Sequence, residues 1–319
     1  ELARTIPLTA VELAQIAAEG GRLGLAEKDL TKFVKTAAKL ATAFDLNPQE
    51  AGEAIAKLSN IFNIPIPNIE KLGDAINQLG NNTAATERNI ISVLARVGGT
   101  AKQFGLSAKQ TAALADAFLA LGKPPEVAAT AINALLLKLQ TARVQSKGFQ
   151  STLKLLGVDL NQLAETIQSD PQKALNGFLQ TLSKLDKQSQ AETLTKLFGQ
   201  EYSDDIALLI GSLDQYEKAL KLVSDESSYA GLVNDEFSKR IATTEAKLQL
   251  LKNSLSEVAI NVANTLLPAI NQMAEVFSNA SHSMAEFADR FPKLTGVITT
   301  FIASVVALRV ALTAVRFIF

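Results

Sequence analysis

Between Phe237 and Thr265 the apolar residues recur at heptad spacing, which admits only a helix with one adhesive side. Ile241, Leu248, Leu255 and Val262 stand seven apart as a positions, and Phe237, Leu251 and Val258 hold d positions in the same register. Thr244 and Thr265 complete that second series. Such a seam packs against a partner helix, from its own chain or from a copy of it. At about 1.5 Å per residue, Phe237 to Leu267 would extend roughly 45 Å. The stretch leads into Leu266-Leu267-Pro268-Ala269-Ile270. Pro268 has no N–H for the carbonyl of Asn264, so it is predicted to kink or end the helix.

The chain carries few residues arranged for chemistry, which points away from an enzyme. The chain has 319 residues, a net charge of −1 and no cysteine, so disulfides, thiolate catalysis and the commonest zinc sites are excluded together. His282, the single histidine, sits in polar Ser281-His282-Ser283 and reads as a solvated side chain rather than a metal ligand. The adjacent acids Asp204-Asp205, Asp225-Glu226 and Asp235-Glu236 would point about 100° apart on a helix, so they do not converge as a catalytic pair. Helix starts favour acids, which accounts for them better. The glycines form neither a dinucleotide-binding nor a phosphate-loop pattern, and read as helix stops. No cofactor and no metal are expected. Basic residues are interspersed with acidic ones, so no specific nucleic-acid groove is expected either.

The order of caps and breaks along the chain predicts an all-α fold. Thr9-x-x-Glu12 is a capping box, and Gly20-Gly21 is expected to stop the first helix. A second helix fits about 26–44, and Asn47-Pro48-Gln49-Glu50 starts a third. Ile64-Pro65-Ile66-Pro67 breaks it. A fourth should end at Gly80, and a fifth, from about Thr86, is bent or ended at Gly98-Gly99. Ser107-x-x-Gln110 opens a sixth helix that Gly122 closes, and Pro124-Pro125 opens a seventh. No window alternates with a period of two between hairpin turns.

Residues 1–146 carry signs of two units of about 60 residues. A gapless offset of 60 pairs Ile16 with Ile76, Gly20 with Gly80, Glu27 with Glu87, Ala41 with Ala101, Phe44 with Phe104 and Leu46 with Leu106. The caps Asn47 and Ser107 coincide as well. Duplication and chance matching of Ala-rich helices both explain these few identities. Two stacked units would bury faces that one alone could not.

Residues 147–230 are denser in turns, at Gly157, at Ser169-Asp170-Pro171 and at Phe198-Gly199. A helix opened by Asp204-Asp205 is expected to continue through Leu213, Tyr216 and Leu220. The polar segment Ser224 to Gly231 is the candidate hinge before the heptad helix at 231–267. Residues 268–319 then give a further helix and an apolar segment. Leu294, Val297, Ile298, Phe301, Ile302, Val305, Val306 and Leu308 lie in 15 residues without charge. A bilayer span needs about 20 apolar residues, and crossing Arg309 costs roughly 2.5–3.5 kcal/mol. A buried helix of a bundle and a membrane-inserting segment both remain open. The chain starts without Met and stops inside an apolar run, so a fragment of a longer polypeptide is expected.

The punctuation carries a resemblance. Leu156-Gly157-Val158-Asp159-Leu160, Asp170-Pro171, Leu197-Phe198-Gly199, Leu250-Leu251-Lys252-Asn253-Ser254-Leu255 and Leu266-Leu267-Pro268-Ala269-Ile270 follow in an order that resembles the core of the tail tape measure proteins of long-tailed phages and prophages. Gly98-Gly99 and Phe104-Gly105-Leu106-Ser107 fit the same pattern upstream. The resemblance covers about Gly80 to Ile270, with the first 79 residues less clearly included. Lys123-Pro124-Pro125 departs from it, where a longer, glycine-bearing connector is expected.

The resemblance implies a structural protein of the virion, packed inside the tail tube, whose length sets how many tube rings stack. It implies tail tube protein, tail assembly chaperones and tail tip or baseplate proteins as partners. A homo-oligomer is implied, a trimer by analogy with the tube. It further implies residence in the host cytoplasm during assembly, and help in delivering the genome across the envelope, with the host membrane as a partner during ejection. A helical pore-forming toxin or secretion-system translocator is the alternative, since it too would combine amphipathic helices with a hydrophobic segment.

Overall fold

The computed structural model describes residues 1–290, 292, 293, 296, 297, 300 and 303. The described residues are all-α, with fifteen α-helices and no strand. The chain divides into two units, Glu1–Ser254 and Leu255–Phe319.

The first unit opens with two helix triplets. The first comprises α1 (Ala10–Arg22), α2 (Glu27–Ala43) and α3 (Pro48–Phe62), and the second α4 (Ile69–Asn82), α5 (Glu87–Phe104) and α6 (Ala108–Ala120). Within each triplet every helix packs on the other two, and α3 against α5 joins the triplets. The helix starts recur at the 60-residue offset to within a residue. So do their caps. Thr9 and Ser107 form full capping boxes, and the Asn47 carboxamide accepts from Gln49 and Glu50 N–H. The α2–α3 and α5–α6 connections match closely. Asp45 (φ +52°) and Gly105 (φ +104°) both take left-handed conformations. Leu46 N–H then reaches Ala41 O, and Leu106 N–H reaches Ala101 O, each at 2.9 Å.

The expected glycine stops fail here. α1 runs through Gly20-Gly21, α4 through Gly80 and α5 through Gly98-Gly99. A Cβ at Gly20 would stand 2.7 Å from Leu30 Cδ1 and Phe33 Cδ1, and one at Gly98 would stand 3.1 Å from Ile61 Cγ2 and Phe62 Cε2. These glycines let helices approach closely. The interior penalty of about 1 kcal/mol for glycine is offset by the packing it permits.

Eight further helices complete this unit's own elements: α7 (Pro125–Gln140), α8 (Lys147–Leu155), α9 (Leu160–Ser169), α10 (Pro171–Ser183), α11 (Lys187–Phe198), α12 (Gln200–Ile210), α13 (Leu213–Leu222) and α14 (Leu232–Ile241). Asp159, Asp170 and Asp186 cap α9, α10 and α11 through their carboxylates. The helix expected to continue from Ile206 through Leu220 is broken at Gly211-Ser212 into α12 and α13. The Lys123-Pro124-Pro125 connection is also explained. The Lys123 ammonium bonds Asp205 and lies 3.7 Å from Asp204, fastening the start of α7 to α12.

The heptad stretch is not one helix. It is split at Ala242-Thr243 into α14 and α15 (Thr244–Arg290). Thr243 opens α15, its hydroxyl oxygen accepting from Ala246 N–H at 3.2 Å. α15 then passes through Pro268, so the proline does not end it. Asn264 is exposed, and the carbonyl that loses its N–H partner can be hydrated instead.

Candidate assembly interface

α14 reaches its place through a connector that composition alone reads as a hinge. In the structure it is fastened at several points. Tyr229 is buried, and its hydroxyl donates to Val223 O at 3.2 Å. Glu226 sits between Lys109 Nζ at 2.7 Å and Lys71 Nζ at 3.0 Å. These two ammonium groups, Lys109 first, pull its carboxyl down to about 2. The Lys109 ammonium also lies 5.3 Å from the Tyr229 ring centroid, within cation–π range.

The start of α14 is held more firmly still. Asp74, buried on α4, accepts Gly231 N–H at 2.9 Å and Val233 N–H at 2.8 Å. It thus supplies, from another helix, the N-terminal cap that Gly231 cannot provide. Gly73 beside it leaves room for Val233, whose Cγ2 would stand 3.1 Å from a Cβ there. One turn on, Asn234 Nδ2 donates to Glu70 Oε1 at 2.8 Å, and Lys39 Nζ donates to the same oxygen at 2.7 Å. None of these partners is legible locally, because each lies well over a hundred residues from the segment it holds.

Of the predicted seam residues, Phe237 packs against the core of the first unit and Ile241 is half-buried. The others face solvent. Leu248, Leu251, Leu255, Val258 and Val262 are between 52% and 61% exposed. The first unit's portion of α15 docks by a side other than its heptad seam. Ala246 is buried, and Asn253 Nδ2 donates to Ala3 O at 2.9 Å and Leu8 O at 2.8 Å. A mixed side, Ala246, Gln249, Leu250 and Asn253, is docked, while Leu248 and Leu251 are left open. In the second unit Leu255, Val258, Val262, Leu266 and Leu267 are likewise exposed.

Of the candidate membrane residues, only Val297 is described, and it is exposed. Leu294, Ile298, Phe301, Ile302, Val305, Val306 and Leu308 lie outside the described residues. Among the described residues no helix is long and apolar enough to cross a membrane, and no cluster of acids and histidine could hold a metal. Among the adjacent acids, Asp204, Asp205 and Glu226 pair with distant lysines, while Asp225 and Glu236 serve locally. Asp225 accepts Ser227 N–H at 3.0 Å, and Glu236 lies 3.5 Å from Arg240 Nε.

Residues 1–199, which take in both triplets and end just after α11, match the family of phage-related minor tail proteins. The chain belongs to this family. It is similar to the probable tape measure protein of Halomonas phage phiHAP-1, 29% identical over 286 residues, which is 90% of this chain and 33% of that protein. It is also similar to the probable tape measure protein of Clostridium phage phiCD119, 25% identical over 282 residues, covering 83% of this chain and 29% of that protein. The chain therefore spans about a third of the length of these relatives. No solved structure matches it. As a minor tail protein the chain has a structural role in a phage tail. The family match includes the first 79 residues, which the ordered motifs left less clear.

Proposed function

We propose that this chain is the part of a tape measure protein that combines a compact helical body with an adhesive helix. Copies associate through the Leu248, Leu251, Leu255, Val258 and Val262 face inside the tail tube. The observation that carries this reading is the open apolar face of α15 in a member of a tail-protein family, with both named relatives described as probable tape measure proteins. Continuous helix suits a ruler because its length is proportional to residue number. The helical body would be extended in the tube and compact outside it, or would sit at one end. Tail length determination, genome delivery and the tube, chaperone and tip partners belong to this reading. Separately capped helices, many of them short, support it, since each keeps its own cap when the shared core opens.

Cryo-electron microscopy of intact tails, with symmetry relaxed in the lumen, tests the placement. Helical density for this chain within the tube is expected. A lumen without it would overturn the reading.

A further inference from the structure

Phe237, Ile241, Leu248 and Leu251 belong to one heptad series by spacing, and such a series stays on one side only of a continuous helix. The break at Ala242-Thr243 interrupts it without shifting its register. Ala242-Thr243-Thr244-Glu245 contains neither glycine nor proline, so the local sequence does not demand a break. The break lies instead between two anchored stretches. Upstream, Asp74 holds Gly231 and Val233, Glu70 holds Asn234, and Val233 and Phe237 are packed on the body. Downstream, Asn253 is tied to Ala3 and Leu8. Thr243 and Thr244 fall between these anchors, and Thr243 is recruited as a cap.

We propose that α14 is a latched segment. Release of the 224–231 connector and of α14 from α2 and α4 lets Leu232–Ser254 run as a single helix. Phe237 and Ile241 then come into line with Leu248 and Leu251, and the completed seam takes a second copy of this chain. In the lone chain the contacts of Asp74, Glu226 and Tyr229 hold α14 down. A partner helix that buries Phe237 and Ile241 compensates for their loss. The latch thereby keeps the seam incomplete until a partner is present. Only this last step rests on the self-association reading above.

The chain has no cysteine, so Ser238→Cys with Lys252→Cys accepts a pair of spin labels without background. Both positions are exposed. In a continuous helix their backbones would lie roughly 21 Å apart, and any bend shortens that distance. The otherwise unmodified chain is expected to give the shorter distance. Asp74→Asn with Glu226→Gln should move the population to the longer one and tighten self-association, measured by sedimentation, at least tenfold. Thr243→Ala with Thr244→Ala touches no latch contact and should shift the distance the same way, which guards against a latch variant that fails to fold. Folded variants of both kinds that keep the short distance would overturn the latch. Tighter association without lengthening would overturn it too, while leaving self-association standing. Lengthening without tighter association would support the latch and sink the self-association reading.

Discussion

Asp74 on α4 accepts the backbone N–H of Val233 at 2.8 Å across a separation of 159 residues, and both groups are buried. Its other oxygen takes Gly231 N–H. Asp74→Ala would leave the buried Val233 N–H without a partner and the half-buried Gly231 N–H without its carboxylate. An unsatisfied buried polar group costs about 1–3 kcal/mol, so a loss of about 2–4 kcal/mol is expected, measured by urea denaturation. Glu226→Ala should cost far less, because that carboxylate is largely solvated and its ion pairs are screened. Equal losses in the two variants would refute the ranking.

Glycines inside the helices separate into two classes with opposite expected signs. Gly20→Ala pushes a methyl group against Leu30 and Phe33, so it should destabilise by about 1–3 kcal/mol through overpacking. Gly99→Ala meets nothing within 4 Å on an exposed part of α5. It should stabilise by about 0.5–1 kcal/mol through helix propensity. Thermal melts of the two variants decide the matter. A gain in stability for Gly20→Ala would mean that α1 and α2 are not closely packed at that point.

Burial raises the Asp116 carboxyl from its ordinary range to about 6, against the opposing effects of the Thr83 hydroxyl bonded to it at 2.7 Å and of Lys218. A carboxyl raised on folding contributes its full stability below the unfolded value near 4, and loses it as pH rises through about 6. That rise to about 6 corresponds to roughly 3 kcal/mol. Asp116→Asn keeps an acceptor for Thr83 and removes the charge. Its stability advantage over the parent should therefore grow from pH 4 to pH 6 and level off above pH 7. Denaturation midpoints at pH 4, 5.5 and 7.5 read this out. An advantage that is constant over the range would show that Asp116 does not titrate there.

The helix starts were legible because their chemistry is local. Thr9 with Glu12, and Ser107 with Gln110, close capping boxes within four residues of chain. The matched left-handed turns at Asp45 and Gly105 lie in the interval that the 60-residue offset marks, between Phe44 and Leu46 and between Phe104 and Leu106. The errors came where distant groups decide. Gly20, Gly80 and Gly98 carry a stop signal by residue type, yet a neighbouring helix or side chain uses the space they leave. The break at Thr243 carries only the weak signal of a capping threonine, while the anchors on either side of it, at Asp74, Glu70, Ala3 and Leu8, are remote in sequence. The heptad face itself was readable from spacing. That another side, with Ala246, Leu250 and Asn253, would be the docked one was not, since the Asn253 bonds to the N-terminal segment that hold it there are remote in sequence.

The docked and open sides of α15 are separable by mutation. Leu251 is 54% exposed in the lone chain, while Ala246 is buried on the docked side. Leu251→Asp should change the stability of the monomer by less than about 0.5 kcal/mol, as exposed substitutions do. It should nonetheless weaken self-association, because a charge at a d position would have to be buried in the seam. Ala246→Asp places the charge against the body instead. It should destabilise the monomer by at least about 1 kcal/mol, with any effect on association following from that loss. Denaturation at low concentration and sedimentation over a concentration series separate the two effects. If Leu251→Asp lowers monomer stability as much as Ala246→Asp, the apolar face is packed against the chain itself, and the open seam on which association depends does not exist.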